Sequence, residues 1–186
     1  MAKLIIVGGS LATGKSTLSH VLAQRLGIQR VSLDEIKESL FDVGGYRDRE
    51  WSKQIGRLAF PVFRDLVGLH AARGESVVAE ATFLWPADVE WLHGFAERFG
   101  VELVQIWLTA DPHVTRDRFI ARAQSMRHPG HNDALEAVLE EFDQRFFNKT
   151  FIPLPINGKT KIVDTTDFST VNHDEILGWI SDESFI

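Results

Sequence analysis

The chain reads as an α/β protein with a parallel sheet covered on both faces, and three observations point there. Five short apolar runs alternate with stretches whose apolar residues recur at helical spacing, the pattern of strand–helix–strand crossovers. The first run, Leu4 to Val7, leads straight into Gly9-Ser10-Leu11-Ala12-Thr13-Gly14-Lys15-Ser16, with Thr17 behind it. That stretch matches G-x-x-x-x-G-K-[ST], a loop whose backbone N–H groups wrap a phosphate chain and which joins a buried strand to a helix. Finally, no internal repeat and no long polar linker divides the chain, so residues 1–186 are expected to form one domain.

The elements follow in order. After the phosphate loop, Leu18, Val21, Leu22 and Leu26 form a helix stripe that Gly27 closes. Ile28 to Leu33 reads as a second strand, and Gly44-Gly45 ends the helix after it. From Trp51 to Ala72, Ile55, Leu58, Ala59, Val62, Leu66 and Leu69 recur at helical spacing, and Pro61 within them predicts a kink or two consecutive helices. Ser76 to Ala79 is a third strand. Pro86 opens a helix with Val89, Leu92, Phe95 and Phe99 inward, closed by Gly100. Val101 to Leu108 is a fourth strand, and Asp111-Pro112 starts a helix running to about Met126. Gln124 to Asn132 lacks periodicity and reads as a loop. A helix capped by Asp133 follows, with Leu135, Val138, Leu139, Phe142 and Phe146 inward. Lys161 to Val163 is a fifth strand, and Asn172 to Ile180 a last amphipathic helix.

Several polar residues stand where chemistry can use them. Lys15 places a point charge on outer phosphates, and the Ser16 hydroxyl suits a divalent cation. Asp34 follows the second strand, at the sheet end where open α/β proteins hold ligands. The same residue type also favours a helix N-cap for its own sake, and both readings stay open. Glu80 stands at the end of the third strand. Arg118 and Arg122 are spaced i, i+4 and so share a helix face, either aimed at a ligand or simply solvated. His128 and His131 lack a third metal ligand and the spacing of a helical pair, so their loop reads as a lid.

Composition narrows the classes further. At 44% hydrophobic and 25% charged, the chain has the make-up of an ordinary globular protein. It has no cysteine, which excludes disulfides, zinc–thiolate sites and thiol nucleophiles. No run approaches a membrane span and nothing resembles a signal peptide, so a cytoplasmic protein without membrane contact is expected. The net charge of −6 argues against extended nucleic-acid binding.

Together, the phosphate loop Gly9 to Ser16, Asp34, Glu80 and the Arg118-x-x-x-Arg122 helix before a loop resemble one group of P-loop kinases. That group includes polynucleotide 5′-hydroxyl kinases, zeta-type toxins, chloramphenicol phosphotransferases and gluconate kinases. The resemblance covers essentially the whole chain. It implies a three-layer fold, a sheet order of 2-3-1-4-5 and a lid within about 123–134. It further implies ATP and Mg²⁺ as cofactors and transfer of the γ-phosphoryl group to a hydroxyl of a small-molecule acceptor. ATP would be held by Gly9, Ser10, Leu11, Ala12, Thr13, Gly14, Lys15, Ser16 and Thr17, with Arg118 and Thr165 near the nucleotide. Arg122 would reach the γ-phosphate. Asp34 would serve as acceptor-side base, and Ser16 and Glu80 would serve the metal. Asp34, Lys37, Arg57 and Glu80 are the acceptor candidates, so Glu80 carries two possible roles. Lys37 falls where polynucleotide kinases use an Arg, and the change loses bidentate phosphate geometry. The alternatives are a nucleic-acid-end or nucleotide-sugar kinase, and an ATPase or nucleotide switch acting with a protein partner.

Overall fold

The computed structural model describes residues 1–125, 127–131, 139–140, 143–144 and 151–182. Five strands form one parallel sheet: β1 (Lys3–Gly9), β2 (Gln29–Ser32), β3 (Val77–Glu80), β4 (Glu102–Thr109) and β5 (Lys159–Asp164). Their order is β2-β3-β1-β4-β5, as expected. The helices are α1 (Lys15–Leu26), α2 (Leu33–Gly44), α3 (Arg49–Ala71), α4 (Pro86–Phe99), α5 (Pro112–Ser125) and α6 (His173–Ser181), with short 3-10 turns at Pro129–His131 and Phe168–Thr170.

Alternation along the strands divides the core. Leu4 and Ile6 of β1 join Phe63, Val67, Leu92 and Phe95 from α3 and α4 on one face. Ile5 and Val7 join Leu18, Leu22, Ile176 and Ile180 from α1 and α6 on the other. Because β1 is buried on both faces, it reads as an unbroken apolar run. Register brings the C-terminal ends of the central strands level, Val7 opposite both Glu80 and Ile106. Residues emerging from β1 and β3 therefore meet at one edge of the sheet, where a parallel sheet opens its ligand crevice.

Local signals explain most boundaries. Gly27 and Gly100 adopt left-handed conformations that end α1 and α4. Asp111 accepts from the backbone of His113 and Val114 at the start of α5, and Asn172 from Glu175 at the start of α6.

Two expectations change. The segment containing Pro61 is one helix, α3, and not two in succession. Its sheet-facing row is Ile55, Ala59, Phe63, Val67 and Ala71, whereas Leu58, Val62, Leu66 and Leu69 stay 38–61% exposed. Two adjacent rows of this helix are apolar, so spacing alone could not choose between them. The row that faces the sheet carries Phe63, whose ring packs against Phe83 and Trp91. Likewise, Asp34 is not a cap. Ser32 occupies the N-cap position of α2, and Asp34 lies inside the first turn.

Of the expected lid, residues 123–125 complete α5 and residues 127–131 are docked on α2. Met126 and Asn132, and most of the helix expected after Asp133, lie outside the described residues.

Candidate active site

The phosphate loop is held open by backbone geometry that its sequence dictates. Gly9 has φ +132°, and a Cβ there would lie 2.2 Å from the Leu108 carbonyl oxygen. Gly14, at φ +83°, ends the loop and caps α1. Ala12 also adopts a positive φ, an uncommon state for a residue with a side chain and one that clusters at functional loops. The buried Thr13 hydroxyl donates to the Ser10 carbonyl at 2.8 Å, and Lys15 Nζ donates to that same oxygen at 2.6 Å. Thr165 Oγ1 stands 2.9 Å from the carbonyls of both Thr13 and Thr109, tying the end of β5 to the loop. Burial lowers the Lys15 pKa to about 8, with Arg122 and Arg127 adding to the effect. Glu80 and Asp34 pull the other way without reversing it.

A cleft of about 500 Å³ opens beside the loop. Lys15, Ser16 and Thr17 line it from the loop and α1, Glu80 and Thr82 from the end of β3, and Asp34 and Glu38 from α2. Arg118 and Arg122 line it from α5, and Arg127 from the segment beyond.

Glu80 is 3% exposed and accepts from Ser16 Oγ at 3.0 Å through Oε1. The pair offers hard oxygen donors next to the phosphate loop. Such donors suit Mg²⁺, which takes few protein ligands and leaves its remaining positions to water and substrate phosphates. Among the described residues no group of three or more His, Cys, Asp or Glu side chains could hold a metal. Ser16 and Glu80 are residues of the cleft that could hold it.

Across the cleft, Asp34 Oδ2 accepts from Arg127 Nη1 at 3.1 Å. Burial alone would raise the Asp34 pKa. Arg127 outweighs it, with help from Lys15, and holds the carboxyl at about 2. Arg127 Nη2 lies 3.0 Å from His131 Nδ1, and His131 Nε2 lies 2.8 Å from Glu38 Oε1. Since a guanidinium only donates, Nδ1 is the acceptor and the ring proton sits on Nε2, donated to Glu38. Burial, reinforced by Arg127, brings the His131 pKa down to about 3, so the ring stays neutral. One turn further along α2, His128 Nε2 meets Asp42 Oδ1 at 3.1 Å. Residues 34, 38 and 42 thus form a ladder of acids on one face of α2 that receives Arg127, His131 and His128. Phe41 stacks with His128 and fills the space above Gly130.

The remaining candidates divide. Arg118 donates to the carbonyls of Thr165 and Thr166 at 2.8 and 2.9 Å, while still lining the cleft. Lys37 does not line it. Its ammonium donates to Ser52 Oγ at 3.0 Å, and Ser52 Oγ donates to the His131 carbonyl at 3.2 Å. Arg57 is a correction: it lies on the exposed face of α3, pairs with Glu50 at 3.1 Å and stands away from the cleft. Its helix turns Ile55 and Ala59 inward and so carries Arg57 out.

Sequence reasoning missed Arg30, Glu38, Arg127 and His131 as members of this site. Glu38 had a legible signal, standing one helical turn after Asp34. Arg30 had a faint one, a cation in a short strand just before Asp34.

The phosphate loop, the strand order and the cleft at the sheet's C-terminal edge define a P-loop kinase-like protein. A family model described as an AAA domain matches residues 4–148, and the chain belongs to that family. A crystal structure of a presumptive kinase from Chloroflexus aurantiacus is 35% identical, with a TM-score of 0.87 and 96% of each chain covered. The fold also matches a gluconokinase from Sinorhizobium meliloti (16% identical, TM-score 0.54, 95% of this chain and 87% of that one). Curated relatives from Mycobacterium tuberculosis and Mycobacterium bovis, named only as uncharacterised proteins, are 29% identical over 132 residues. That stretch is 65% of this chain and 26% of each relative, so the chain spans about a quarter of their length.

Proposed function

We propose that this protein is an ATP-dependent kinase that transfers the γ-phosphoryl group to a hydroxyl of a small molecule. The observation that carries the reading is a carboxylate, Asp34, facing the phosphate loop across one cleft, close enough to act on the charge of Lys15. The loop serves the nucleotide, and a carboxylate facing it across the cleft is placed to serve an acceptor hydroxyl.

The residues then take these parts. Lys15 and the loop N–H groups hold the β- and γ-phosphates, and Arg118 grips the β5 loop that borders the nucleotide. Arg122 supplies charge to the equatorial oxygens as the transferring group loosens. Ser16 and Glu80 would hold Mg²⁺, which would supply positive charge to the phosphates. Asp34 orients the acceptor hydroxyl through Oδ1, Oδ2 being engaged by Arg127. The acceptor oxygen forms its bond to the γ-phosphorus, the bridging β–γ bond breaks toward ADP, and the hydroxyl proton passes to Asp34. A carboxyl with a pKa near 2 is a weak base. In a loose transition state the hydroxyl proton becomes acidic only as the new bond forms, so placement matters more than base strength. The segment 127–131 covers the acceptor end, excluding water that would otherwise consume ATP. The cytoplasm supplies the ATP such an enzyme requires.

The test is to incubate the protein, Mg²⁺ and γ-labelled ATP with pooled sugars, sugar acids, nucleosides, antibiotics and oligonucleotide 5′ ends, and to locate transferred phosphate by mass spectrometry. Label appearing on an acceptor supports the reading. ATP hydrolysis at the same rate with and without every pool would favour an ATPase instead.

A further inference from the structure

We propose that Arg30 is a positioning residue that commits Glu80 to the metal side of the cleft and leaves Asp34 as the acceptor's carboxylate. The proposal rests on the kinase reading above and settles which of two roles Glu80 fills. Glu80 ends β3 in register with Ser32 of β2, which places Arg30, two residues earlier on that strand, at its side. Arg30 Nη1 donates to Glu80 Oε2 at 2.9 Å, while Ser16 Oγ donates to Oε1 at 3.0 Å. Arg30 Nη2 meanwhile donates to Glu35 Oε1 on α2. The side chains of Arg30 and Glu80 are 14% and 4% exposed. A continuous chain therefore runs from Glu35 through Arg30 and Glu80 to Ser16 and the phosphate loop.

The consequence is geometric. Both oxygens of Glu80 are held, which opposes a turn of its carboxylate toward an acceptor, and Oε1 stays beside the Ser16 hydroxyl at the phosphate loop. Ligands to a metal need such outer partners to fix their orientation. Asp34 differs, because its side chain is 48% exposed and Arg127 engages one of its oxygens from the opposite wall. Each arginine thus fixes one acid. Arg30 does not itself line the cleft and acts only through Glu80. Its forked guanidinium reaches Glu80 and Glu35 together, which a lysine ammonium at the end of a single stem cannot do as well.

The experiment reads binding, not turnover. Affinity for a non-hydrolysable ATP analogue is measured by calorimetry with and without Mg²⁺ in the wild type, Arg30→Met, Arg30→Lys, Glu35→Gln and Glu80→Gln. A coupling of about tenfold or more between Mg²⁺ and nucleotide is expected in the wild type. Arg30→Met should reduce it to about threefold or less while Mg²⁺-free affinity stays within about twofold, and Arg30→Lys should restore part of it. Should Arg30→Met fail to fold, Arg30→Lys and Glu35→Gln carry the test, each with coupling below the wild type. Unchanged coupling in the folded Arg30 variants overturns the proposal, as does stronger coupling, which would mean that Arg30 merely repels the cation. Coupling lost in Glu80→Gln but kept in the Arg30 variants overturns this inference alone. Coupling kept in Glu80→Gln as well overturns the metal site on which it rests.

Discussion

Replacing Asp34 by Asn should separate chemistry from stability, and the structure sets the size of each effect. The Asp34 side chain is 48% exposed and makes a 3.1 Å ion pair with Arg127. Asp34 is about half open to solvent while Arg127 is 15% exposed, and a pair so placed at the rim of a cleft contributes on the order of 1 kcal/mol. An acid in the first turn of α2 adds roughly 0.3–1 kcal/mol through the helix dipole. Asp34→Asn should therefore cost at most about 2 kcal/mol, which for a chain of this length lowers the melting temperature by roughly 4–8 °C. Affinity for ATP should hold or improve, because a negative charge that acts on Lys15 leaves the cleft. Single-turnover phosphorylation of an acceptor should fall by roughly 10²–10⁴-fold, since an amide cannot take the hydroxyl proton. Melting temperature, nucleotide affinity and single-turnover rate on one purified variant give all three numbers. A folded Asp34→Asn protein that transfers phosphate at the wild-type rate would refute the assigned role, and a loss confined to Mg²⁺-dependent ATP affinity would make Asp34 a metal ligand.

Three further outcomes are expected. Lys15→Ala should keep the fold, since among the described residues its ammonium bonds only the neighbouring Ser10 carbonyl, yet lose ATP binding in calorimetry. His131, neutral and held near pKa 3, contributes stability that is complete above the ordinary histidine value of 6.5 and drains as pH falls from there toward 3. By pH 5 the loss is about 2 kcal/mol, and thermal melts should show it in the wild type but not in His131→Gln. Gly130→Ala would set a methyl 2.3 Å from the buried Phe41 ring, so amides of 127–131 should exchange faster and phosphoryl transfer should drop.

Much of this architecture was legible in the chain because one segment governs it. The run from Leu4 to Ser16 combines a buried strand, positive-φ glycines and a helix start, so its fold and its chemistry are the same signal. Caps such as Asn172 and Asp111 were legible for a similar reason: each acts on backbone two or three residues away. The rotation of α3 was not, because Leu58, Val62, Leu66 and Leu69 match helical spacing as well as Phe63 and Val67 do, and only packing against the sheet chooses. The acceptor wall was hidden by distance along the chain. Asp34 and Arg127 are separated by 93 residues, as are Glu38 and His131, and no local pattern announces either pair. Arg127 looked like one more cation in a loop, and what makes it matter is the acid it meets.

The charge balance of the cleft leads to a last prediction, on Lys15. Among the described residues four cations line the space, Lys15, Arg118, Arg122 and Arg127, against three carboxylates, Asp34, Glu38 and Glu80, so their positive charge exceeds negative by one. Arg127 is paired with Asp34, and Arg118 is bound to carbonyls on the β5 loop. Lys15 is largely out of water and feels the charges of Arg122 and Arg127, and its pKa near 8 records that strain. A polyphosphate reverses both causes, since it supplies opposite charge and hydrogen-bond acceptors where burial removed water. Nucleotide binding should therefore pull the Lys15 pKa upward, and at pH 8 it should take up about half a proton per ATP. Affinity should be flat below pH 7 and weaken by up to about fivefold between pH 8 and pH 9, as the free protein loses the charge that the complex needs. Calorimetry in buffers of differing ionisation enthalpy reads the proton directly. Binding at pH 8 with no proton uptake, and with affinity unchanged to pH 9, would mean that Lys15 is fully charged before ATP arrives and that the strain assigned to it does not exist.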